Sequence, residues 1–287
     1  MSKSRMRSIA NPHWFVALPL AVLILGTALF NSFVLAARTQ RDHLTDASAQ
    51  ASCALPKDAG IALRCISFAG HDYAVADIDL RSHKIIFTTA DDRKMHSYPE
   101  VDAALRSSGR QPILITNAGI YGTDNRPLGL LITLKGKEHN VARVASRSGN
   151  FSWDTAVFEI RNDDTASIVL ARDWQENPRA IAATQSGPQL ASANRVNPDL
   201  PPGSVSTYSR TAVGIDQSSR GLVHIAVSRD GVTLFELASF MVNILHCSEA
   251  LHLDGSLSAL YLPSASDKFV FSDPGERIVT VLSVLKK

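Results

Sequence analysis

The chain has 287 residues, 45% of them hydrophobic and 20% charged, with a formal net charge of +2. That is enough apolar material for one or two cored domains, and the composition excludes disorder, collagen-like repetition and coiled coil. Lys3, Arg5 and Arg7 are the only charged residues before Arg38, so the remaining body is nearly neutral and lacks the basic stripe of a nucleic-acid binder.

Taken from the front, Trp14 to Ala37 forms a run of 24 residues without a charge, interrupted only by Pro19, Gly26, Thr27, Asn31 and Ser32 among less apolar types. At ~1.5 Å per residue this run spans a hydrocarbon core of ~30 Å. The three basic residues before it keep the N-terminus inside and send the body outward. Small residues around Val34-Leu35-Ala36-Ala37 also fit a cleavage site. The run is longer than the ~7–15 residues of a usual signal-peptide core, which favours an uncleaved anchor. The expected organisation is a membrane segment over 1–37, a polar linker over 38–62 and a single globular domain over 63–287. The domain then lies on the periplasmic or extracellular side, or is secreted if the signal is cleaved.

Within the domain, β-branched runs bounded by Gly, Asn, Asp and Pro predict strands. They fall at 73–78, 84–89, 112–117, 128–134, 155–160, 167–170, 180–184, 211–215, 221–228, 250–253 and 278–285. Arg229-Asp230-Gly231-Val232 is a turn signal. A helix is expected over Tyr98–Ser107, with Pro99 in its first turn. A stronger one is expected over Leu234–Cys247, started by a capping box of Thr233 and Glu236. Its polar residues Glu236, Ser239, Asn243 and His246 make one narrow stripe, so the rest of its surface is expected to be buried. Strands outnumber helices and do not alternate with them. The expected fold is therefore α+β, a mixed β-sheet with few packing helices.

Export makes a disulfide possible among Cys53, Cys65 and Cys247. Cys65–Cys247 would staple the domain start to its core, Cys53–Cys65 would close a local loop, and spacing does not choose. The nucleophile elbow, the dinucleotide and phosphate-binding glycine loops and the paired-histidine zinc motif are all absent, and no cofactor is expected.

Four polar segments sit at the ends of apolar runs: 116–121, 184–190, 209–214 and 251–256. Such loops are where rigid scaffolds place reactive groups. Asp254 follows an apolar strand, where partial desolvation raises a carboxylate's basicity. His252 lies two residues before it, on the same face of an extended strand. That placement suits a hydrogen-bonded His–Asp pair or two metal ligands, although no motif supplies a third ligand and no metal is expected. Arg210 offers a planar fork of donors for phosphate or carboxylate. Ser186 and Gly187 suit an anion, and Asn117 suits sugar hydroxyls. Each also has an ordinary structural reading: a turn for Asp254-Gly255 and for Ser186-Gly187, a surface ion pair for Arg210 and a strand-end cap for Asn117.

In this order, Asn117-Ala118-Gly119-Ile120-Tyr121, Ser186-Gly187-Pro188-Gln189-Leu190, Arg210-Thr211-Ala212-Val213-Gly214 and Ala250-Leu251-His252-Leu253-Asp254-Gly255-Ser256 resemble the phosphodiester glycosidase family. The chain is most similar to an exported bacterial branch of it. The resemblance implies a hydrolase of sugar-1-phosphodiesters acting on a sugar-phosphate or glycan in the cell envelope. It implies Asp254, Arg210, Asn117 and His252 as catalytic candidates, and Gly119, Tyr121, Ser186, Gly187, Gly255 and Ser256 as substrate-binding ones, with Gly129 a further shaping position. The chain departs from the animal-type patterns Asn-Gly-Gly-Phe at Ala118 and Ile120, and Asp-Gly-Gly-Gly-Ser at Ser256 and Leu257, losing glycines that permit close backbone approach. Two other functions fit the same segments: an envelope polysaccharide-binding module without turnover, and a metal-dependent phosphodiesterase using His252 and Asp254.

Overall fold

The structure, a computed structural model, describes residues 55, 61–89, 94–143, 154–253, 258–265, 269–271 and 277–287. All lie within the compact unit Leu44–Lys287. The expected membrane segment, most of the linker, and Asp254, Gly255 and Ser256 lie outside the described residues. No helix among the described residues is long and apolar enough to cross a membrane.

Strands dominate, and they are numbered here by position in the chain. One sheet has the order β1 (Ala62–Phe68), β2 (His71–Asp79), β14 (Leu222–Ser228), β13 (Thr211–Asp216), β15 (Cys247–His252), β11 (Gln189–Ser192) and β12 (Arg195–Val196). A second runs β7 (Gly136–His139), β6 (Leu131–Thr133), β10 (Ala180–Ser186), β8 (Ala156–Arg161) and β9 (Ala166–Leu170). A third runs β17 (Phe269–Val270), β16 (Leu260–Tyr261), β5 (Pro112–Asn117), β19 (Thr280–Lys286) and β3 (His83–Thr89). β18 (Arg277–Ile278) pairs with β4 (His96–Ser97).

The expected single mixed sheet is corrected on both points. The strands divide among several sheets, and the described pairings, such as β1 with β2, β13 with β15 and β19 with β5, are antiparallel. A parallel neighbour needs a crossover of a dozen or more residues, usually a helix, and this chain has few.

The three large sheets share one core. Ala76 and Ile78 of β2, Phe87 of β3, Leu114 of β5, Phe158 of β8, Val213 of β13 and Leu251 of β15 are buried in one apolar cluster. Leu55 and Ile61, within the expected linker, pack against it. β2 carries the unbroken buried run Tyr73–Ala76 because both faces of its sheet are covered.

The outer face of that sheet is covered by α2 (Leu234–Asn243), whose Leu237, Phe240 and Met241 cluster with Val75, Ala212 and Ala226. The Phe240 ring stacks on Tyr73 at 3.9 Å. Its predicted capping box is present: Thr233 Oγ1 accepts from Glu236 N at 3.1 Å, and Glu236 Oε2 accepts from Thr233 N at 2.8 Å. The helix ends at Asn243, earlier than expected. His246 takes φ +53, in the left-handed region, and β15 starts at Cys247, so the polar stripe does not continue to His246. Ser239 of that stripe is buried rather than solvent-facing. α1 (Tyr98–Ser107) packs Tyr98 and Leu105 against Ile86, Ile115 and Val281 of the third sheet.

Two side chains tie elements together. Glu249 of β15 accepts from Ile168 N of β9 at 2.8 Å and from Arg220 Nη2 at 3.0 Å, bracing the first sheet to the rim of the second. Arg220 O also accepts from Ala166 N at 2.8 Å. Cys65 is disulfide-bonded while Cys247 is a free buried thiol, which removes the Cys65–Cys247 staple and leaves Cys65's partner outside the described residues.

Candidate active site

Antiparallel register gathers several strand ends at one end of the molecule. β5 finishes at Asn117, β10 at Ser186 and β15 at His252, while β13 begins at Thr211. His252 stands opposite Ala212. Leu253 N donates to Thr211 O at 2.9 Å and His252 N to Pro188 O at 3.1 Å. Thr211 Oγ1 donates to Asn117 Oδ1 at 2.7 Å, linking the third sheet to the first. The described parts of the four segments singled out in the sequence thus meet here.

Arg210 continues the ladder one residue before β13, with its amide on Ser228 Oγ at 3.0 Å. Its side chain is only 2% exposed. Nε donates to Val232 O at 2.7 Å and Nη2 to Ser206 O at 3.2 Å, while Nη1 lies 3.4 Å from His252 Nε2. The Tyr208 ring sits beneath the guanidinium, 5.4 Å from centroid to carbon. A guanidinium carries five N–H bonds. Three are engaged, none of them with a carboxylate among the described residues. Burial draws its pKa below the ordinary value, yet an arginine stays protonated at working pH. The result is a buried cation without a charged partner in the described structure.

His252 is wholly buried. Its Nδ1 lies 2.9 Å from Gly187 O, a group that only accepts, so Nδ1 carries the proton. The bare Nε2 then faces the Arg210 donor. Burial first, and the Arg210 charge second, push its pKa down to about 3 against the opposing Gly187 bond. Histidine here is neutral. Both ring nitrogens have partners among the described residues, in a Gly187–His252–Arg210 relay, while Asp254, the other member of the His–Asp pair considered from the sequence, lies outside them.

The other predicted positions shape this end. A Cβ on Gly119 would stand 2.5 Å from Gln185 O and Thr184 Oγ1, and one on Gly187 would stand 2.9 Å from Thr155 Cγ2. Glycine at each lets two strands' ends close on each other. Gly129 packs on the Gln185 side chain in the same way. Ser186 Oγ is buried and has no hydrogen-bond partner among the described residues. Tyr121 is half-buried and forms a backbone bridge with Pro127. Asn117 is buried and bonds Thr211, not Arg210 or His252. Around the Asp254 segment, Leu253 bonds Thr211 O and Ser258 Oγ bonds Ser209 O at 3.3 Å, so both described flanks are held beside Arg210.

Residues not singled out from the sequence complete the arrangement. Gln185 Nε2 donates to Ala142 O and Thr155 Oγ1, and its Oε1 accepts from Leu130 N and Ala142 N. It knits three segments behind Ser186. Tyr208 flanks Arg210 on one side, with only that adjacency to signal it in sequence, and Thr211, part of the family-like segment, flanks it on the other. A cleft of about 520 Å³ lies elsewhere, lined by Phe87, Val101, Leu105, Thr133 and Val281, and none of the predicted site residues lines it.

A family model described as phosphodiester glycosidase (NAGPA) matches residues 110–283. The Escherichia coli (strain K12) protein YigE, itself described as uncharacterized, is 29% identical over 188 residues, 64% of this chain and 70% of that one. The zebrafish N-acetylglucosamine-1-phosphodiester alpha-N-acetylglucosaminidase catalytic domain, solved auto-inhibited by its pro-peptide, superposes with a TM-score of 0.55. It is 16% identical, covering 84% of this chain and 87% of that one, a likeness of fold. With more than half its length matched by the model, and with the strand ends carrying the family's four segments brought together, this chain belongs to the phosphodiester glycosidase family.

Proposed function

We propose that the chain hydrolyses a sugar-1-phosphodiester in the bacterial cell envelope, held there by its 14–37 segment with the domain on the outer side. The observation that carries this reading is the Arg210 guanidinium, buried, without a carboxylate among the described residues and with two N–H bonds to spare. Burying a charge unpaired is costly, and an arriving phosphate removes that cost. The orphaned Ser186 hydroxyl, next to the Gly187 that holds His252, is a second donor for the same anion.

The chemistry suits this donor set. The departing group is a phosphate monoester, already a weakly basic anion, so little acid assistance is needed at the leaving oxygen. Ordinary glycosidases require a second carboxyl group for that step. In this proposal the C1–O bond breaks and its electron pair leaves with the phosphate, which Arg210 holds. Asp254 stabilises the cationic sugar carbon, and water adds its oxygen to C1 and releases a proton. Neutral His252 keeps the Arg210 fork aimed and exchanges no proton.

A binding module without turnover is the competing function, and loss of family glycines at the site is what would favour it. Ala118, one of those departures, lies wholly buried in the main core, where its methyl group packs. That departure therefore does not favour a module.

The test uses the full chain and a panel of glycosyl-1-phosphate diesters, beginning with an N-acetylglucosamine-1-phosphodiester, in ¹⁸O-labelled water. Label in the sugar, with turnover lost in Asp254→Asn and Arg210→Met, is the expected result. Label in the phosphate, or undiminished turnover in both variants, sinks the proposal. Turnover that a chelator abolishes revives the metal-dependent alternative.

A further inference from the structure

We infer that Tyr208 is the platform on which the sugar next to the bound phosphate stacks; the inference rests on the proposed phosphate site at Arg210. Tyr208 is 56% exposed although it adjoins a fully buried residue. One face of its ring lies over the Arg210 guanidinium at 5.4 Å. An arginine stacked through its planar face keeps the N–H bonds along its edge for an anion. The exposed ring and the buried guanidinium are thus neighbours in one site.

The platform is held in place before any ligand arrives. Tyr208 N donates to Val232 O at 3.3 Å and Val232 N to Tyr208 O at 2.9 Å. Val232 O also takes the Arg210 Nε bond at 2.7 Å, and the next residue, Thr233, is the N-cap of α2. Ser206 O, two residues before Tyr208, holds Arg210 Nη2 at 3.2 Å. The segment from Ser206 to Arg210 is therefore wrapped around the guanidinium and pinned to a helix start, and ordering it for a ligand costs little.

The chemistry selects a pyranose. Its ring C–H bonds carry partial positive charge on one apolar face and pack on the electron-rich face of an aromatic ring. The large apolar side chains exposed among the described residues are Leu128, Leu134, Ile181, Val205 and Tyr208, of which Tyr208 is the aromatic one. Phe271 is a useful contrast. It packs under the Arg229 guanidinium at 4.6 Å, but Arg229 is already neutralised by Asp72 at 3.0 Å. An anion has no vacancy to fill there.

The experiment measures binding of two probes, inorganic phosphate and glucose-1-phosphate, by calorimetry on the full chain. Wild type is expected to bind the sugar phosphate about tenfold more tightly than phosphate. Tyr208→Ala removes that preference while leaving phosphate affinity within about twofold. Tyr208→Phe keeps it, because the ring and not the hydroxyl does the stacking. The inference is overturned if Tyr208→Ala preserves the preference, if it weakens both probes equally, or if Tyr208→Phe loses the preference. Failure of the phosphate site reads differently: wild type and Arg210→Met then bind phosphate alike. Failure of hydrolysis reads differently again, as Tyr208-dependent binding with no diester turned over.

Discussion

Two buried histidines on the same sheet are used in opposite ways. His224 of β14 lies between two carboxylates, with Nδ1 at 2.7 Å from Asp77 Oδ1 and Nε2 at 3.1 Å from Asp216 Oδ2. Arg64 closes the row with two bonds to Asp77 at 2.7 and 2.8 Å. Burial works against the Asp77 charge, but the His224 and Arg64 hydrogen bonds hold its pKa below the ordinary value. The row is complete in itself. His252 of β15 instead lies between a carbonyl and a guanidinium, and nothing in its neighbourhood among the described residues balances the positive charge. A closed network cross-links strands, whereas an open one waits for a counter-charge. The comparison teaches that buried polarity alone does not mark a binding site; an uncompensated charge does.

The comparison breaks most readily at Arg210. Arg210→Met is expected to lower diester turnover by at least about a hundredfold, the range for losing a preorganised donor. Phosphate at about 100 times its Kd should stabilise wild type by roughly 2.7 kcal/mol and the variant not at all, as thermal melts will show. Equal phosphate stabilisation of both proteins would make the Arg210 network as closed as that of His224. The reciprocal change, His224→Leu, removes one partner each from Asp77, which keeps Arg64, and from Asp216, which keeps Ser218. It should cost about 1–2 kcal/mol in urea melts, the scale of lost hydrogen bonds to carboxylates that keep other partners, with turnover per folded molecule unchanged.

A smaller effect sharpens the contrast through pH. The folded pKa of His252 is about 3, below the ordinary histidine value, so between the two the unfolded chain binds a proton that the native one does not. Stability contributed by this group is whole above about pH 6.5 and falls on acidification toward pH 3, by at most about 1.4 kcal/mol per unit. His252→Gln should flatten that slope in melts across the window. The smallest effect calibrates the rest. Thr211→Val removes the Asn117 bond and should cost about 1 kcal/mol, an ordinary buried hydrogen bond.

Much of the architecture was legible from local pattern. β5 and α1 occupy the expected residues, and the capping box at Thr233 was visible because its chemistry is confined to four neighbouring residues. β1 escaped notice because Arg64 on one face and Ser67 on the other interrupt its apolar pattern, and β11 and β12 because they are short. The same divide runs through the site. Arg210 was legible as a cation at the mouth of a buried strand. Thr211 with Asn117 is a pairing across 94 positions, and His224 with Asp77 one across 147. Neither leaves a local trace, since register between strands brings them together. The partners that His252 has among the described residues were hidden for a related reason: Gly187 and Arg210 lie 65 and 42 positions away, whereas a sequence brings only near neighbours into view.

The Glu249 brace bears on the open margin of the second sheet. β9 is the last strand of its sheet, and an outer strand normally offers bare amides to any extended chain that drifts alongside. Here the Ile168 amide is spent on Glu249 and the Ala166 amide on Arg220 O. Those two amides are thereby closed to a further strand by an ion pair, Glu249 with Arg220, rather than by another length of backbone.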